Sequence, residues 1–486
     1  MQELGVGLVY WKELAPIFEA GVELASVLEL EPQTLWEKCV TASGSIYRVN
    51  QSLLDKVAKL PQVKLAHGVA HPLGGATADP IEHLTAWQHT LEVLDPKWVS
   101  EHLSFNRCTF GDYVEEAGFL LPPRQTLHGV DQAVNNIEYM RRSLSYPIAF
   151  ETGVNYLKQR TDELSDGDFF GKIADKAQCG ILLDLPNLWV NEKNGRQKVH
   201  DVLKKIPLER VWEVHLAGGM KLNNYWLDAH SDSIPDEVME LAAEVIPKLP
   251  NLGALIFEIL PEHLPRLGID GVCRQLEAMH GLWALRMPKK AQIIPADKKS
   301  SPVSLMVPSV TGVSAGDLTE WERAIASLIR GKNAPGIFSE LADDPGTHVI
   351  KQLVTEFRSA SITRTLRYSV ILLLLSCGAD EVRRLIATYC RDYPSDMYHS
   401  IEGDRFAHFL SSHQALLAKI PYLSEVLAFE HALIRAAVSG LSSEIEWTVD
   451  PTEIFDALDL GRMPNALTRH KSTMLVNAHI PSALGT

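Results

Sequence analysis

CGILLDLPN (Cys179–Asn187) and VWEVHLAGG (Val211–Gly219) are two apolar runs that each stop on a polar residue, Asp184 in the first and His215 in the second. Asn187 follows Asp184 by three positions, and the fragment LDAHSDSIPD then supplies Asp228 and His230. A lone polar residue at the end of a buried strand is more often a cap or a solvated group than a ligand. Two consecutive strands that end on metal-type donors, followed by an Asp-x-His pair, point instead to a cluster of ligands at one end of a barrel.

The same plan recurs outward from this stretch. Apolar, β-branched runs occupy Gly5–Trp11, Ala25–Glu31, Gln62–Ala70, Lys97–Ser104, Tyr146–Gly153, the two runs above, and Gly253–Leu260. Segments of helical period lie between them, such as TLHGVDQAVNNIEYMRRSLS and PDEVMELAAEVIPKLP. Eight alternating units in this span predict an α/β fold, a closed (β/α)₈ TIM-type barrel over residues 1–285. From the third run onward the ends are His67, His102, Glu151, Asp184, His215 and Glu258. The carboxyl ends of all strands in such a barrel face one mouth, so these six side chains converge. With Asp228 and His230 the set reaches four histidines and four carboxylates, more than one ion needs. Two or three carboxylate-bridged ions of iron, manganese or zinc are therefore expected, with Asn187 as a weaker neutral donor. His71, His83, His89 and His128 lie off this pattern and read as surface groups or as groups behind the ligands.

Composition sets the outer bounds. The 486 residues carry a net charge of −15, with 46% hydrophobic and 22% charged residues, which suits a globular chain of two or three domains. That acidity argues against a nucleic-acid backbone as main partner. Six scattered cysteines without a C-x-x-C pair read as reduced thiols, and the N-terminus lacks the features of a secretory signal. The longest apolar run, Val370–Cys377, is far short of the ~20 residues that span a bilayer. A cytoplasmic protein without membrane partner is expected.

Residues 286–316 are rich in Pro, Ser and Lys and read as a linker. Residues 317–486 follow a helical pattern in LTEWERAIASLIRG, HVIKQLVTEFRSA, TRTLRYSVILLLLSCG and LSEVLAFEHALIRAAVS, so the barrel precedes a mainly helical C-terminal domain. EIEWTVDPTEIFDALDL and HKSTMLVNAHI near the end are candidates for strands.

The segments HGVAHPLGG, WVSEHLSF, FETGVNY, LLDLPNLWVNEKN, EVHLAGG, DAHSD and the FE at Glu258 resemble, in order, the DUF692 family of multinuclear non-heme iron-dependent oxidases (MNIO enzymes). The resemblance covers roughly residues 3–285. Two positions depart from the family: Gly219 stands where it often has His, and Pro186 where it usually has Asn. The resemblance implies two or three irons of mixed Fe(II)/Fe(III) state and O₂ as co-substrate. The ligands it implies are His67, His102, Glu151, Asp184, Asn187, His215, Asp228, His230 and Glu258, with Glu29 and Glu31 behind them. The implied reaction modifies a residue, Cys being the commonest target, of a ribosomally synthesised precursor peptide. ATYCRDYPS and the region around Phe406, Phe409, Leu410, Pro421, Tyr422 and Glu430 resemble the DUF2063-like partner family, implying that a peptide-presenting partner is fused to this barrel. Two other readings compete: a zinc or manganese hydrolase or isomerase of the endonuclease IV and xylose isomerase type, and a metal-free scaffold with a binding helical half.

Overall fold

The computed structural model describes residues 1–41, 44–77, 81–287, 315–334, 336–465 and 467–477. Most of the expected linker, 288–314, lies outside the described residues.

All eight expected strands form, each within its run: β1 (Gly5–Val9), β2 (Val27–Leu30), β3 (Val63–Gly68), β4 (Val99–His102), β5 (Ile148–Glu151), β6 (Gly180–Asp184), β7 (Val211–Ala217) and β8 (Ala254–Glu258). Each pairs in parallel with its sequence neighbours, and β8 closes on β1, so the sheet is a complete barrel. Strands covered on both faces need apolar side chains on both, which is why they read as continuous runs rather than alternations. β5, β6 and β8 are buried at every position. The register sets His102 beside Glu151, and Asp184 beside His215. Helices such as Leu127–Leu144, Asp166–Ala177 and Leu264–Trp283 form the outer ring.

Three antiparallel hairpins, unforeseen in the sequence, leave the barrel after strand ends. They pair Trp36–Thr41 with Gly44–Val49, Phe105–Phe110 with Tyr113–Leu121, and Gly219–Leu222 with Tyr225–Asp228. They follow β2, β4 and β7, so they rise on the mouth side.

The C-terminal half is mainly helical, from Ala315–Ile329 through Pro345–Thr365 to Leu423–Ser439 and Pro451–Asp459. The two strand candidates form one hairpin, Ser443–Val449 with Arg469–Val476. Trp321, Ile325, Phe338, Leu341, Ile350 and Val354 share the barrel's apolar core, and a second core begins at Ile362. Polar contacts join this half to the mouth-side excursions. Lys38 Nζ lies 2.9 Å from Asp396 and 3.1 Å from Glu116. Ser400 donates to Glu37 at 2.9 Å, and the Lys158 N–H donates to Asp344 at 3.0 Å. Among the described residues no single helix is long and apolar enough to cross a membrane.

Candidate metal centre

Strand geometry delivers the donors. Alternate residues of a strand share a face, so the residue two before each strand-end donor also points into the barrel. His67 and His102 bring Nε2 to 3.2 and 3.0 Å from the same oxygen, Glu151 Oε2, with ring centroids 4.6 Å apart. His215 Nδ1 lies 3.2 Å from Glu258 Oε1. The other oxygen of Glu258 lies 3.3 Å from His230 Nε2, which is 2.9 Å from Asp228 Oδ1. Asp184 caps the helix Leu185–Lys193 by accepting the Asn187 N–H, and Asn187 Nδ2 donates to Glu151 Oε1 at 3.1 Å. His230 holds a left-handed φ of 43°, a conformation few side-chain-bearing residues adopt.

All nine expected site residues therefore meet at the mouth. Six come from the ends of barrel strands and Asn187 from the first turn of the helix after β6, while Asp228 and His230 are brought in by the hairpin after β7. Each of three groups offers one donor atom per residue, all within 4.8 Å of one another: His67, His102 and Glu151; Glu151, Asp184 and His215; Glu29, His215 and Glu258.

The decisive feature is what these atoms lack. Glu151 Oε2, Asp184 Oδ2, Asn187 Oδ1, both His215 nitrogens, Asp228 Oδ1, His230 Nε2, Glu258 Oε2 and both oxygens of Glu29 are buried without an aligned hydrogen-bond partner. Buried polar atoms are almost always satisfied, because each orphan costs ~1–3 kcal/mol. So many together describe a site shaped for something other than protein. Donors at right angles around an ion ~2.1 Å away lie ~3.0 Å apart, matching the contacts above. The nitrogen and oxygen donors, with no thiolate among them, fit a divalent or trivalent ion of borderline or hard character.

The charges agree. Burial would lower the pKa of His102, yet Glu151 and Glu101 hold it up at about 10. Burial would raise Glu151, yet His102 and His67 hold it down to about 2. Asp184 lies well above the usual carboxylate range because it is buried and faces Asp228, Glu151 and Glu258. This surplus of mutually repelling carboxylates is what multivalent cations relieve.

Groups behind the donors were only partly legible. His67 Nδ1 meets Ser100 Oγ at 2.9 Å and His102 Nδ1 meets the Gly68 carbonyl at 2.8 Å, which leaves Nε2 facing inward. Glu101, unmarked in the sequence, accepts from the His102 and His71 N–H groups at 2.8 and 2.9 Å. Tyr156 accepts from the Asp228 N–H at 3.2 Å. His71 and His83 are not surface residues: they stack in the interior at 5.5 Å, with Trp36 against His83. His89 and His128 are exposed as expected.

Comparison with known proteins comes to the same region. A family model described as RiPP precursor modification enzyme MbnB/TglH/ChrH matches residues 33–261. A UPF0276 protein of Chromobacterium violaceum is 31% identical over 205 residues, 42% of this chain and 72% of that protein. A UPF0276 protein of Streptomyces avermitilis is 27% identical over 237 residues, 48% of this chain and 48% of that protein. This chain thus spans about half the length of the Streptomyces relative. Among solved structures, endonuclease IV of Thermus thermophilus is similar with a TM-score of 0.36 and 13% identity, over 58% of this chain and 98% of that one.

Proposed function

The chain belongs to the UPF0276 family, and from that premise, together with its similarity over residues 33–261 to the RiPP precursor modification enzymes MbnB/TglH/ChrH, we propose that it is a multinuclear iron-dependent oxidase. Its substrate in this reading is a ribosomally synthesised precursor peptide, with a Cys residue as the target and O₂ as co-substrate. The observation that carries the proposal is the set of unpartnered buried nitrogen and oxygen atoms at the carboxyl end of the barrel. His67, His102, Glu151, Asp184, Asn187, His215, Asp228, His230 and Glu258 would hold two or three irons. Bound there, iron supplies redox chemistry with O₂ that no protein side chain offers.

The chain's own residues do the rest. Glu151 and Glu258 each face two histidines through one carboxylate, so each would serve more than one bound ion. The apolar barrel beneath excludes water, and the mouth-side hairpins frame the face from which a peptide side chain would enter. The helical half, packed on those hairpins, would present the peptide. Fusion in one chain keeps its local concentration high without a separate partner protein. A cytoplasmic location belongs to this reading and is supported by six free cysteines.

The test is metal analysis of protein prepared without oxygen, followed by O₂ uptake in the presence of a candidate precursor. His102→Ala and Asp184→Ala are expected to lose iron and O₂ uptake while keeping the wild-type circular dichroism. Full iron occupancy in both variants overturns the ligand assignment, and stoichiometric zinc in place of iron overturns the oxidase reading.

A further inference from the structure

The three strand-end histidines are not held alike. His67 is backed at Nδ1 by the Ser100 hydroxyl and His102 by the Gly68 carbonyl at 2.8 Å, with the buried Glu101 carboxylate farther from that nitrogen at 3.6 Å, and both turn Nε2 toward Glu151. His215 is reversed. Its Nδ1 faces Glu258, and its Nε2 lies 3.0 Å from Glu29 Oε1 on the closed side of the barrel. Glu29 is wholly buried, and neither oxygen has an aligned hydrogen-bond partner. Glu213, also wholly buried, brings Oε1 to 3.8 Å from the same nitrogen while its Oε2 accepts from Trp98 Nε1 at 2.8 Å. Val9, Val27, Leu65, Trp98 and Ile256 form a separate apolar cluster.

A carboxylate in such surroundings is costly unless its charge is used. Among the described residues the ion pairing of Glu29 runs to His215 alone. We propose that Glu29 is a positioning residue: its carboxylate, 3.0 Å from Nε2, favours the tautomer that carries the proton on that nitrogen and so commits His215 to the metal centre through Nδ1. This rests on the reading of the mouth as a metal centre. Glu213, tied down by Trp98, flanks the same Nε2 edge and limits the ring's rotation.

The consequence is inequality between the donor groups. A carboxylate behind an imidazole makes it a stronger ligand than a hydroxyl or carbonyl does, and losing such a partner typically costs 10- to 100-fold in metal affinity. The carboxylate behind His215 stands at 3.0 Å, within hydrogen-bond distance, whereas the one behind His102 stands at 3.6 Å, so the group built on His215 and Glu258 binds a cation more tightly than the group of His67, His102 and Glu151.

Co²⁺ titration of the metal-stripped full-length chain tests this, followed by visible absorption and by competition with a chelator. Wild type is expected to show two affinity classes. Glu29→Gln keeps the volume and removes the charge; it should weaken the tighter class 10- to 100-fold and change its Co²⁺ absorption, leaving the weaker class in place. His102→Ala should abolish the weaker class and spare the tighter one. If Glu29→Gln does not accumulate as folded protein, Glu29→Asp, which keeps the charge but withdraws it from Nε2, should weaken the same class. Wild-type affinities and absorption in the Glu29 variants overturn the proposal, as does a uniform fall of both classes. Unaltered Co²⁺ binding in His102→Ala as well would sink the metal-centre reading itself, a result distinct from failure of the Glu29 role alone.

Discussion

Two of the places where the chain buries charge treat it differently. In the helical half, Arg358 and Glu402 are almost completely buried. Arg358 Nε donates to Glu402 at 3.1 Å, and Nη1 donates to the Cys390 and Tyr393 carbonyls at 3.0 and 3.1 Å. Glu402 also accepts from Tyr389 Oη at 2.9 Å and from the Asp396 N–H at 2.7 Å. Every polar atom there has a protein partner. At the barrel mouth, carboxylates and imidazoles approach at similar distances, yet many of the facing atoms lack an aligned hydrogen-bond partner. A closed network holds a fold together, whereas an open one is a receptor waiting for charge.

The largest expected effect tests the closed network. Arg358→Ala leaves Glu402 buried with its countercharge gone and removes a guanidinium stacked 4.7 Å over the Tyr389 ring. Breaking a buried pair from one side costs ~3–5 kcal/mol, so guanidinium-induced unfolding should shift by that much. A loss below ~1 kcal/mol would mean that the network contributes little and that the contrast with the mouth is misplaced.

The open network should respond with the opposite sign. In metal-stripped protein, Asp184→Asn removes one member of a repelling, under-satisfied set, so a gain of ~1–3 kcal/mol is expected. The pH dependence follows from the raised pKa of Asp184, caused by burial and by Asp228, Glu151 and Glu258. A carboxyl whose folded pKa lies above its unfolded value weakens the fold as pH rises past the ordinary carboxylate range near ~4. The advantage of Asp184→Asn should thus be absent at pH 4 and present at pH 8 in thermal unfolding. With metal added, the order should reverse, because the variant has lost a ligand. A variant less stable than wild type at pH 8 without metal would show that the mouth is a structural network like that of Arg358.

This contrast explains what the sequence made legible. The eight strands were readable because two-sided burial writes each one as a bounded apolar run, and the site because six runs end on His, Asp or Glu. Glu213 could have been found as well: it stands two residues before His215, on the same strand face. The hairpin that carries Asp228 has Asn223-Asn224 at its turn, with Asn223 at a φ of 54°, a signal that was there to be read. Glu101 and Tyr156 had no such signature. Their roles depend on where loop backbone passes, as when the His71 N–H reaches Glu101, and no local pattern encodes that.

The smallest expected effect lies where the two regions meet. Asp344 caps the helix Pro345–Thr365 by accepting the Gly346 N–H at 2.8 Å, and its other oxygen accepts the Lys158 N–H at 3.0 Å. Lys158 belongs to the segment after β5 that also carries Tyr156, so one side chain ties the helical half to a loop beside Asp228. Losing such a cap costs ~1 kcal/mol. Asp344→Ala should therefore lower stability by about that amount and leave the metal content unchanged, since no donor at the mouth loses its backing. Metal loss in this variant, measured beside its unfolding curve, would show that the helical half helps to hold the centre together. The closed and open networks would then be one cooperative unit, with the loop from Tyr156 to Lys158 as the link between them.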